Sequence, residues 1–138
     1  MEDRLKYRAW LKTENKMIDE FFLCTARDSI IENDFCTDFF SDIHLFEHDL
    51  KDLILMQCTG LKDCEKNLIY EGYIVCPENC LNIKYRPLGV VSWLDQDCCF
   101  AIKYRDESIQ KLGMMMLAED FKILGNIYEH PELLNEKQ

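Results

Sequence analysis

The chain has 138 residues and a mass of 16.4 kDa, a single-domain length, and 48% of its residues are hydrophobic, enough for a packed core without help from a disulfide or metal. Sixteen Lys and Arg stand against 26 Asp and Glu, a formal net charge of −10 that excludes a protein coating DNA through a positive face. No run approaches the roughly 18 apolar residues of a membrane span, and the charged start Met1-Glu2-Asp3-Arg4 lacks the apolar core of a secretion signal, so a cytoplasmic protein is expected.

Leu5, Tyr7, Ala9 and Leu11 alternate with Lys6, Arg8, Trp10 and Lys12, which predicts a half-buried strand with one apolar face. Thr13-Glu14-Asn15-Lys16 reads as a turn, and Met17-Ile18 with Phe21 to Cys24 continues a hairpin or meander. The span 13–52 is strongly acidic, yet Phe21, Phe22, Ile30, Ile31, Phe35 and Phe39 are threaded through it, so it is expected to be ordered. Ser41 to Leu55 reads as a helix, with Ser41 as N-cap and apolar residues at 43, 46, 50, 53 and 54. Leu53 to Gln57, Ile69 to Cys76, Leu81 to Tyr85, Val90 to Leu94, Cys99 to Tyr104 and Phe121 to Tyr128 are short strand-like runs at intervals of about ten residues, the spacing of a sandwich or small barrel. Glu107 to Met116 fits either state because Gly113 weakens a helix. Pro131 opens a last helical turn through Leu134. Gly60 and Gly72 mark sharp turns or close strand approach, and Gly125, inside a strand pattern, marks a bulge or a barrel corner. Trp10, Tyr70 and Tyr128 read as buried rings whose polar atoms find partners.

Eight cysteines raise the question of a metal. Only Cys76-Pro-Glu-Asn-Cys80 has ligand spacing; Cys98 and Cys99 are adjacent and point to opposite faces of a strand. Reduced thiols acting as small hydrophobes are the simpler reading, so neither a metal nor another cofactor is expected. His44 and His48 share a face if 41–55 is helical, but they lie among Asp42, Glu47 and Asp49, and His130 precedes a proline. With no serine elbow, phosphate loop or metalloprotease helix, no catalytic residue is assigned and a non-enzymatic protein is expected.

Three segments together resemble the YopX protein family. They are Leu5-Lys6-Tyr7-Arg8-Ala9-Trp10 with Asn15-Lys16-Met17, then Leu55 to Asp63 continuing to Ile69-Tyr70-Glu71-Gly72-Tyr73-Ile74-Val75, and finally Ile123-Leu124-Gly125-Asn126-Ile127-Tyr128-Glu129-His130-Pro131-Glu132-Leu133-Leu134. Tyr73 stands where relatives usually carry an aspartate, and Cys58 where they carry an aromatic. The resemblance implies a mainly β, β-rich α+β protein: a small barrel-like core of short antiparallel strands with one or two short helices. The expected organisation is one domain over 1–138, with an N-terminal strand and acidic subregion over 1–52 and a barrel-like subregion over 53–134. The resemblance also implies a bacteriophage or prophage origin and carries over no agreed chemistry.

Two binding surfaces follow from charge. The first is an acidic partner-binding face at Asp28, Glu32, Asp34, Asp38 and Asp42, suited to a basic groove on a host or phage protein. The second, held as the alternative, is a nucleic-acid surface from Arg4, Lys6, Arg8 and Trp10 on the first strand. Against the acidic background those bases are expected to pair internally, which weighs against nucleic acid. Strand edges need cover, and pairing with a second copy of the chain is one way to supply it.

Overall fold

The computed structural model describes residues 6–24, 28–32, 46–78, 87–113 and 117–135. Among the described residues the fold is mainly β, with one short α-helix and a curled half-barrel sheet. The chain divides into two compact units, one formed by Tyr7–Met56 and the other by Met1–Lys6 with Gln57–Gln138.

In the Tyr7–Met56 unit, β1 (Tyr7–Leu11) and β2 (Lys16–Ile18) form an antiparallel hairpin with Ala9 opposite Ile18 and Leu11 opposite Lys16. The turn between them bends at Asn15, whose φ of 49° lies in the left-handed region that asparagine tolerates. β3 (Phe21–Cys24), β4 (Ser29–Glu32) and β5 (Phe46–Asp49) make a three-stranded antiparallel sheet with β4 in the centre. A short 3-10 turn, Leu50–Asp52, leads into β6 (Leu53–Lys62), whose first residues close this unit. Its core is Ala9, Leu11, Ile18, Ile30 and Leu53, flanked by Phe21, Leu50 and Leu55, each buried Leu or Ile contributing about 1.5–3 kcal/mol.

Two expectations are corrected here. The helix over 41–55 is absent from its described part: 46–49 is strand, 50–52 a 3-10 turn, and β6 begins at Leu53. The sheet decides this, because Glu47 sits opposite Ile31 and His48 opposite Ile30, and ladder hydrogen bonds override a weak local spacing. The first strand is also not apolar on one face only. Tyr7 is 38% exposed, whereas Ala9, Trp10 and Leu11 are all buried.

In the second unit, the later residues of β6 pair with β7 (Leu68–Tyr70), Cys58 opposite Tyr70 and Lys62 opposite Leu68. The register shifts between these pairs, and Gly60, with φ 79°, sits in the shift. A turn through Gly72, also at φ 79°, leads into β8 (Tyr73–Pro77). β8 belongs to a five-stranded antiparallel sheet with β9 (Gly89–Leu94), β10 (Cys99–Tyr104), β11 (Ile109–Lys111) and β12 (Phe121–Asn126), in the order β11-β10-β9-β8-β12. Of the two readings of Gly125, the bulge is the one found: the pairing of β12 with β8 slips by one residue after Ile123. The ambiguous 107–116 segment resolves, where described, into a turn with Glu107 at φ 66° followed by β11. The expected strand over 81–85 lies outside the described residues.

After β12 the chain turns back as α1 (Glu132–Asn135), placing Pro131 just before the helix. Leu133 and Leu134 pack with Ile127, Leu124 and Val90 over Ile74, Cys76 and Leu88. This cluster fixes the C-terminal turn against the five-stranded sheet.

Candidate functional site

Many chemically capable side chains of the second unit are occupied by the backbone. Asp63 is fully buried: its Oδ1 accepts from the Glu65 and Asn67 N–H groups at 3.0 and 2.9 Å, and its Oδ2 from the Ile123 N–H at 3.1 Å. Asn126 Oδ1 accepts from the Tyr128 and Glu129 N–H groups at 3.0 and 2.8 Å. The His130 ring lies against Gly125, and its Nδ1 accepts from the Asn126 N–H at 3.3 Å. Glu71 and Gln57 are tied twice, the Glu71 carboxylate accepting from the Gln57 N–H and the Gln57 carbonyl from the Glu71 N–H, both at 3.0 Å. Burial, a hydrogen bond to Glu78 and the neighbouring carboxylates of Glu78, Asp63 and Glu65 all push the Cys64 thiol above its ordinary range, which makes it a poor nucleophile at neutral pH.

A different arrangement exists at the β10–β11 hairpin. There a cavity of about 400 Å³ is lined by Pro87, Leu88, Tyr104, Arg105, Asp106, Ser108 and Gln110. The Tyr104 ring lies over Gly89, two of its carbons only 3.2 Å from where a Cβ on that glycine would stand, and its hydroxyl donates to Gln110 Oε1 at 2.7 Å. Burial, aided by the Asp106 charge, holds the Tyr104 phenol above its usual range, so it stays a donor. Arg105 donates through Nη2 to the Leu133 carbonyl at 2.7 Å, tying the hairpin to α1. Asp106 Oδ1 accepts from both the N–H and the hydroxyl of Ser108.

Those two bonds from Ser108, the hydroxyl's first, hold the Asp106 carboxyl below its ordinary value. A carboxyl depressed in the folded state adds stability that is present above the ordinary carboxylate range and is lost as pH falls through the lowered folded value. Ser108→Ala is therefore expected to move the Asp106 midpoint upward toward the ordinary range, read by NMR titration of the side-chain carboxyl carbon. An unchanged midpoint contradicts the assignment of the cause.

The residues singled out in the sequence are distributed unevenly. Asp28 is exposed, with φ 48°, and its carbonyl accepts from the Leu50 N–H. Glu32 ends β4. Asp34, Asp38, Asp42 and Arg4 lie outside the described residues, as do His44 and Cys80. Lys6 is exposed, and its carbonyl accepts from the Cys58 N–H. Arg8 is ion-paired with Asp19, an acid of the segment that follows β1. Trp10 is only 9% exposed, which leaves its ring little surface on which a base could stack. Cys76 is buried, Cys98 is exposed in a turn, and no group of three or more His, Cys, Asp or Glu among the described residues is placed to hold a metal ion. His48 lies on a strand, so the helical pairing with His44 does not arise. The polar ring around Tyr104 was not singled out, although Asp106-Glu107-Ser108 is a recognisable turn signal.

The family model described as YopX protein matches residues 6–135 of this chain. The chain belongs to the YopX protein family. Within solved structures it is similar to protein EF1440 from Enterococcus faecalis, at 22% identity over 94% of this chain and 96% of that one, with a TM-score of 0.64. It is also similar to protein yopX from Bacillus subtilis, at 16% identity over 98% of this chain and 99% of that one, with a TM-score of 0.63. At these identities the likeness shows the fold alone, over nearly the whole length of each chain. No curated protein matches the sequence. Among the described residues, no helix is long and apolar enough to cross a membrane.

Proposed function

We propose that this YopX protein is a phage- or prophage-derived accessory protein of the bacterial cytoplasm that acts by binding another protein, without catalysis, and modulates host machinery through the acidic face of its N-terminal unit. Asp28, Glu32, Asp34, Asp38 and Asp42 carry the contact, and the partner presents a basic groove. The reading is supported chiefly by charge placement: residues 7–56 hold 11 acidic side chains against five basic ones. The pairing of Ser29 with Asp49 and the Leu50–Asp28 backbone bond bring Asp28 and Asp49 to one end of the β3-β4-β5 sheet, where both are exposed. The occupation of Asp63, His130 and Glu71 by backbone groups further favours binding over acid–base chemistry.

The test is a purified complex. Once a host protein is isolated with the chain, its affinity is expected to fall steeply between low and high salt. The substitutions Asp34→Asn, Asp38→Asn and Asp42→Asn together are expected to abolish the complex while leaving the fold intact by circular dichroism. A partner that binds the triple variant as well as the parent chain, or whose affinity ignores salt, refutes the acidic face.

A further inference from the structure

We draw no further inference here: the strongest candidate, the surface patch where Trp93 of β9 meets Phe100 of β10 edge to face with Trp93 exposed, is an apolar sheet face, and nothing in the structure shows what covers it.

Discussion

Replacing Asp63 by alanine is expected to lower the free energy of unfolding by about 3 kcal/mol, the largest loss from any single polar side chain described above. The carboxylate is fully buried and serves three N–H groups, two in its own loop and one on β12, a strand sixty residues away in sequence. Hydrogen bonds to a charged acceptor contribute about 1.5–3 kcal/mol each. The sum is not reached, because the exposed Glu65 and Asn67 regain water when the loop relaxes. The Ile123 amide has no such remedy between β8 and the loop. Asp63→Asn keeps one oxygen and turns an amide donor toward an N–H group, so an intermediate loss of about 1–2 kcal/mol is expected. Urea unfolding measures both. Native-state hydrogen exchange at the Ile123 amide separates the local effect from the global one. An alanine variant with an unchanged urea midpoint would show that the carboxylate does not hold β12 to the loop.

The second large effect is expected at Gly89, where alanine should cost about 3 kcal/mol by overpacking. The reason is space rather than backbone freedom. A Cβ there stands 2.1 Å from Ile102 Cγ2, far inside contact distance, and 3.2 Å from the Tyr104 ring. Ile102 is 1% exposed on β10 and has no room to retreat. The clash predicts strong coupling: Ile102→Ala alone costs about 2–5 kcal/mol through its cavity, and adding Gly89→Ala to it should cost little more, because the offending methyl is gone. A double-mutant cycle with additive losses would contradict the packing described. Because the Tyr104 ring also rests on Gly89, the single variant is expected to disturb the hairpin cavity as well.

The strands were legible because their chemistry is local. β10 falls on the predicted Cys99 to Tyr104, and β9 differs from Val90 to Leu94 only by Gly89. Glycine marked the irregularities for the same reason: Gly60 and Gly72 take positive φ, and Gly125 sits at the register slip. The helix over 41–55 was misread because apolar spacing alone does not record the partner strand that β4 offers. Asp63 passed unnoticed as one acid among 26. Its signal was present in Asp63 followed four residues on by Asn67 in a tight loop, but its third donor, on Ile123, is distant in sequence and could not be read from spacing. The cavity was hidden similarly, since Leu88, Tyr104 and Gln110 meet only when β9, β10 and β11 align.

The five-stranded sheet has two rims, and neither invites a passing molecule. Along β12 the Asp63 loop already engages the outer main chain, through Ile123 to the carboxylate and through the Cys64 N–H to the Phe121 carbonyl. The opposite rim, β11, is only three residues long and carries Lys111 bridged to Asp97 at 3.3 Å. Short or charged rims deny a template to like chains. These two rims of the five-stranded sheet are therefore expected to resist edge-to-edge pairing with like chains.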